Sequence, residues 1–270
     1  MFHFRSLCCN KHKHHYLRKK IFLDINDKIR SVEQLHIKKP SKIIRVIIII
    51  IIVVVLGELL ALGWLASTVS TYKKFWIQKA KQPGDITYLA LGDSAAQGIG
   101  ATSPSRGYVG LIASRLENHA NKKVRIVNLS KTGAKMQDYL SEQAPRAKSI
   151  KANVVTIEIG ANDVSIFQPD KFRSDFKAVL ATLPDGAFVA NLPLFNSRPS
   201  STSKAKQASE IIQEELKSYP KLHFVDLQKQ TSQHQSIFGF APDLFHPNNL
   251  SYKNWADAFW GQIKNSKAGD

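Results

Sequence analysis

Cysteine is nearly missing from this chain: Cys8 and Cys9 stand side by side, and nothing beyond them carries a thiol. The remainder therefore needs no disulfide and tolerates an oxidising exterior. Dinucleotide binding lacks its fingerprint, because G-x-G-x-x-G is absent and no acid closes the second apolar run. Metal-dependent hydrolysis through Asp163, Asp243 and His246 lacks an H-x-x-x-H or comparable ligand pair. A long basic block is also missing beyond the first 45 residues, although the chain carries a net charge of +17. No specific nucleic acid partner is expected.

The charge is concentrated at the start. Before Val46 there are twelve Lys and Arg against Asp24, Asp27 and Glu33. Directly after them comes "VIIIIIIVVVLGELLALGWLA", residues 46 to 66, long enough to span a bilayer at about 1.5 Å per residue. Its one charge, Glu58, costs a few kcal/mol, whereas each of the fifteen Ile, Val and Leu returns about 0.3 to 0.6 kcal/mol. Insertion stays favourable with a tolerated carboxyl at Glu58. A cleaved signal peptide has a shorter apolar core and a short basic head. The reading is an uncleaved membrane helix over 46–66, with a basic cytoplasmic tail over 1–45 under the positive-inside rule. In that tail, "KHKHHYLRKK" has no folded ligand geometry and reads as solvated basic chain.

Residues 67–84 read as a polar, basic connector ending in a Pro-Gly turn signal. Five short apolar runs follow at 86–91, 123–129, 153–159, 187–192 and 222–227. Amphipathic stretches near 107–120, 135–148, 170–182, 203–218 and 249–264 separate or follow them. Strands alternating with helices predict an α/β domain over 85–266, a three-layer α/β/α sandwich around a parallel sheet. Functional groups in such sheets gather at the carboxyl ends of the strands.

Four segments occupy those ends: "GDSAAQGIG" with Asp93 and Ser94, "NLSKTGAK" with Gly133, "GANDV" with Asn162 and Asp163, and "APDLFHPNNLSY" with Asp243 and His246. A serine hydroxyl needs a base, usually a His whose second nitrogen is held by a carboxylate. His246 and Asp243, three residues apart, supply both on one turn. The oxyanion formed on attack needs donors, and the N–H groups of Ser94 and Gly133 with the Asn162 amide are the candidates. Taken singly, Ser94 is an ordinary turn serine, Gly133 and Gly160 are turn glycines, and Asn162 and Asp163 cap the next helix. Asp93 and Asp163 read as supporting hydrogen-bonders, and His119, His223 and His234 as surface or packing residues.

Together and in order, the four blocks resemble the SGNH hydrolase superfamily, the GDSL esterases and lipases, over about 86–264. "GDSAAQG" resembles the nucleophile block, "NLSKTG" and "GANDV" the two oxyanion blocks, and "DLFHPN" the block that completes the triad. Ala95 stands where the family usually has Leu, and Ser251 where it often has Gly. The resemblance implies a flavodoxin-like sheet and a catalytic Ser94–His246–Asp243 triad. It implies an oxyanion hole from Ser94, Gly133 and Asn162, and no metal or organic cofactor. The implied substrate is a carboxylic or thio ester, such as a lysophospholipid or an acetylated carbohydrate. The competing expectation is a membrane-tethered binding or scaffold domain that keeps the fold without useful catalysis.

Overall fold

A computed structural model describes residue 28 and residues 41–195, 199–234, 236 and 238–266. The basic tail with Cys8, Cys9 and the His cluster otherwise lies outside the described residues. Contacts divide the chain into two units, residues 1–55 and 56–270. In the first, every described residue from 41 to 55 is exposed and 42 to 55 are helical.

Helix α1 is continuous over Lys42–Lys79. Its most apolar stretch has a mean hydropathy of 3.1 with no residue buried, so length and composition permit a membrane crossing. Its later turns differ from the expected connector. Residues 67–79 are helical, and Leu65, Thr68, Tyr72 and Trp76 are buried within the second unit, to which they belong. Their spacing of three and four residues lines one helix face. That face is hidden in the sequence by the polar residues between them.

Strands β1 (Ile86–Gly92), β2 (Val124–Asn128), β3 (Val154–Glu158), β4 (Phe188–Ala190) and β5 (His223–Val225) form one parallel sheet. Its order is β2-β1-β3-β4-β5. The fold is the expected three-layer sandwich in the flavodoxin-like order. Period-two alternation makes both faces apolar. Leu89, Leu91, Val155, Ile157 and Val189 enter one core, against Phe172, Phe176 and Ile212 from the helices Pro169–Leu180 and Pro199–Leu216. Tyr88, Ala90, Val154, Phe188 and Val225 enter the other, against helices Tyr108–Ala120 and Asn249–Ile263. There Tyr108 stacks on Phe259 at 5.2 Å between centroids, an arrangement worth about 0.5 to 1.5 kcal/mol beyond its buried area.

The sheet order reverses direction at β1, between β2 and β3. The crevice outside the carboxyl ends of β1 and β3 is where this class of sheet binds its ligand. Ser94 follows β1 and Asn162 follows β3, so the topology brings two of the four blocks to that crevice.

Candidate active site

Gly92 ends β1, and Asp93 caps the one-turn helix Ser94–Gln97 by accepting from Ala95 N–H at 2.9 Å. The cap turns the chain so that Ser94 opens a helix at the strand end. Gln143 grips Gly92 from both sides, its Nε2 donating to Gly92 O at 2.8 Å and its Oε1 accepting from Gly92 N–H at 3.0 Å. Gln143 lies on a π-helical turn, Tyr139–Gln143, which interrupts the single helix expected over 135–148. Such wide turns are frequent at functional sites.

His246 arrives on the loop before the last helix. Its Nε2 lies 2.9 Å from Ser94 Oγ, and its Nδ1 lies 2.5 Å from Asp243 Oδ2. The other Asp243 oxygen accepts from the N–H groups of Phe245 and His246, each at 3.1 Å. Burial alone would raise the Asp243 carboxyl. The hydrogen bond and positive charge available from His246, with these two N–H donors, bring it down to about 2. Asp243 is therefore ionised over the whole neutral range and holds Nδ1 as a donor, leaving Nε2 to accept from the serine.

The candidate oxyanion donors stand as follows. Gly133 has φ +75°, in the left-handed region that glycine occupies without penalty. Neither Ser94 N–H nor Gly133 N–H finds an acceptor among the described residues. Asn162 precedes a short 3-10 turn, Asp163–Ile166, yet its side chain makes no capping bond. Its Nδ2 instead donates to Asp93 Oδ2 and to Ala134 O, each at 3.0 Å. The helix-cap role considered for it is thus not the one it plays. Asp163 accepts from Met136 N–H at 3.3 Å.

A pocket opens beside Ser94 with a cavity volume of about 60 Å³, room for only a few water-sized groups. Its walls include Phe245 of the "DLFHPN" block together with Pro193, Leu194, Phe195 and Trp255, which belong to none of the four blocks. His234, expected as a surface or packing residue, is exposed and also lines this pocket. Glu158 lines it too, fully buried, with neither carboxyl oxygen bonded within the described residues. Burial, reinforced by Asp93, raises the Glu158 carboxyl well above its ordinary range. An acid inside the apolar run "NVVTIEI" was the one sequence signal that could have found it. No group of three or more His, Cys, Asp or Glu among the described residues is placed to hold a metal ion.

The buried acids imply a pH signature. Burial lifts Asp163 from 3.8 to about 6. A carboxyl raised on folding stabilises fully below its unfolded pKa, and that contribution disappears as pH rises through the folded value. The window is therefore about pH 4 to 6, opposite in sign to Asp243, whose contribution is present above 3.8 and fades toward pH 2. Asp163→Asn keeps an acceptor for Met136. The Tm of the native chain minus that of Asp163→Asn is expected to fall as pH rises from 4 to 7; a difference that stays flat would show that Asp163 does not titrate in the fold.

Comparison with known proteins bears on the fold and the family. No curated protein sequence matches the chain. Among solved structures it is similar to LAE5, an alpha/beta hydrolase enzyme from the metagenome of Lake Arreo, Spain. That match has 19% identity over 68% of this chain and 97% of the other, at a TM-score of 0.57. It is also similar to an Axe2 acetyl xylan esterase variant from Geobacillus stearothermophilus, with 21% identity, 66% and 94% coverage and a TM-score of 0.55. The lipase Lip_vut3 from a goat rumen metagenome matches at 21% identity, 66% and 97% coverage and a TM-score of 0.53. At these identities the likeness speaks for the fold. Residues 90–253 match the GDSL-like Lipase/Acylhydrolase family, a span that contains all four strand-end blocks, and by that match the chain belongs to this family and is an ester hydrolase.

Proposed function

We propose that the chain is a membrane-anchored serine ester hydrolase whose nucleophile is Ser94. The observation that carries this reading is the unbroken relay Ser94 Oγ, His246 Nε2, His246 Nδ1 and Asp243, at 2.9 and 2.5 Å. Nε2 takes the hydroxyl proton as Oγ bonds to the ester carbonyl carbon, and the carbonyl π electrons move onto oxygen. Asp243 steadies the imidazolium. The oxyanion is met by the N–H groups of Ser94 and Gly133 and by the Asn162 amide. When it collapses, the C–O bond to the alcohol breaks and that alcohol leaves with the proton from Nε2. Water, deprotonated by the same nitrogen, then cleaves the acyl-serine to the acid.

Residues 46–66 serve as the membrane span, with 1–45 as a cytoplasmic tail and 85–266 forming the extracytoplasmic hydrolase domain, onto which the helical residues 67–79 pack. Lys and Arg enrichment before residue 46 supports that orientation. The substrate is a carboxylic or thio ester, with a lysophospholipid or an acetylated carbohydrate as the two classes to compare.

A fluorophosphonate probe tests the enzyme reading against the scaffold alternative. It is expected to label the native chain on Ser94 and to leave folded Ser94→Ala unmarked. Absence of labelling on the folded native chain would favour the scaffold.

A further inference from the structure

Three alternate carbonyls in the loop that follows Ser94 are each held by a buried aromatic donor. Trp76 Nε1 donates to Gln97 O at 2.9 Å, the Tyr252 hydroxyl to Ile99 O at 2.6 Å, and the Tyr72 hydroxyl to Ala101 O at 2.6 Å. Two of these three donors come from helix α1. On the same helix face, Leu65 and Tyr72 form an apolar cluster with Ile99 and Ala241. Ala241 begins the loop of Asp243 and His246, and its N–H donates to His246 O at 2.8 Å. Gly100 packs so closely under that loop that a Cβ would stand 2.3 Å from Pro247 O and 2.9 Å from His246 Cβ. The last turns of α1 thus brace the nucleophile loop and the histidine loop together. No Gly or Pro interrupts α1 after Gly63, so no hinge separates this brace from the exposed Leu59, Leu60, Leu62 and Trp64 before it.

The catalytic loops carry exposed apolar side chains of their own. Phe238 is 77% exposed, Leu244 59% and Leu250 51%. Each is tied to the segment that α1 touches. Leu244 N–H donates to Ala241 O, and Asn248 bonds both Phe238 O and Leu250 N–H. Next to Leu250, Asn249 accepts from Thr102 N–H, one residue past the carbonyl held by Tyr72. One helical turn is about 5.4 Å, and Leu65, next to last in the apolar run, shares its buried cluster with Ala241 at the start of the histidine loop. Exposed apolar side chains on loops tied in this way to an apolar helix fit a contact with a membrane. Lys73 and Lys74, exposed two turns further along α1, are suited to anionic head groups.

We propose that Phe238, Leu244 and Leu250 form a rim that rests in the surface of the bilayer α1 crosses, and that the ester hydrolysed is drawn from that bilayer. The proposal depends on the membrane-anchored reading above. It makes the substrate an amphiphile whose apolar part stays in the lipid while its ester reaches Ser94.

The test uses the full chain reconstituted in phosphatidylcholine and phosphatidylglycerol vesicles. Turnover is measured on a soluble acetyl ester and on a vesicle-borne lysophospholipid, with Phe238→Glu and Leu250→Glu combined in one variant. The expected result is kcat/KM within about twofold of the native chain on the soluble ester and lower by about tenfold or more on the vesicle-borne one, since removing about 1.4 kcal/mol of apolar burial corresponds to tenfold. Equal loss on both esters, or no loss on either, overturns the proposal.

A second measurement is independent of activity. Phe238→Cys in a Cys8→Ser, Cys9→Ser background leaves a single thiol for a fluorescent label. Emission is expected to be quenched by lipids carrying bromine on their acyl chains, and emission indifferent to those lipids overturns the docking. A native chain that cleaves neither ester counts against the hydrolase reading, while the label still decides whether the rim meets lipid.

Discussion

His246→Ala is expected to lower kcat on a short soluble ester by about 10⁶-fold, as loss of the base does where serine and histidine act as a unit. The 2.9 Å contact with Ser94 Oγ is the physical ground for this magnitude. A serine without an acceptor for its proton stays a neutral alcohol, and the next group able to take that proton is solvent. Because the two residues share one step, Ser94→Ala on the His246→Ala background is expected to cost almost nothing more. Asp243→Asn leaves the loop geometry intact but reverses the hydrogen bond to Nδ1, favouring the wrong tautomer, and about 10⁴-fold is expected there. Ser94→Ala, His246→Ala, Asp243→Asn and the Ser94→Ala/His246→Ala double are compared by steady-state kinetics with Tm as a folding control. Multiplicative losses in the double variant would show that serine and histidine do not act together.

What could be read from the sequence divides along physical lines. Because two buried faces leave a continuous apolar stretch that needs no partner to be noticed, each strand lies within its apolar run, except that β1 continues one residue past it to Gly92. The ends are shorter than the runs in β4 and β5, where only Phe188–Ala190 and His223–Val225 find ladder partners. Helix Leu227–Gln233 went unforeseen because Leu227 is its only apolar residue; its start is set by Asp226, which accepts from Lys229 N–H. The helical character of 67–79 was hidden for a related reason. One buried residue in each turn satisfies a helix face while leaving the composition polar.

The strand-end blocks were legible because each is a local string with a definite backbone task. The pocket was not, since Phe195, Phe245 and Trp255 come from three segments that meet only after folding. The bracing of Ser94 by Trp76 and Tyr72 was equally invisible. It joins residues 21 and 29 positions apart through backbone carbonyls, which leave no trace in side-chain pattern.

Asn162→Ala is expected to lower kcat by about 10²- to 10³-fold while KM changes much less, the signature of a donor that acts on the oxyanion. In the unliganded chain both Nδ2 hydrogens are occupied, one by Asp93 Oδ2 and one by Ala134 O. In the proposed oxyanion role, one of them turns to the substrate oxygen as it gains charge. A hydrogen bond to a charged acceptor is worth about 1.5 to 3 kcal/mol and one to a neutral carbonyl about 0.5 to 1.5 kcal/mol. The bond released is therefore the one to Ala134, and Asp93 keeps the other hydrogen and holds the amide in place. Catalytic hydrogen bonds often align only when the reacting group arrives, so an occupied amide in the free chain is compatible with this role. A purely structural Asn162 would behave differently. Losing its ties to Asp93 and Ala134 would lower Tm and raise KM together, with kcat close to native. Measuring kcat, KM and Tm on the same preparation separates the two, because only the oxyanion role concentrates the loss in kcat.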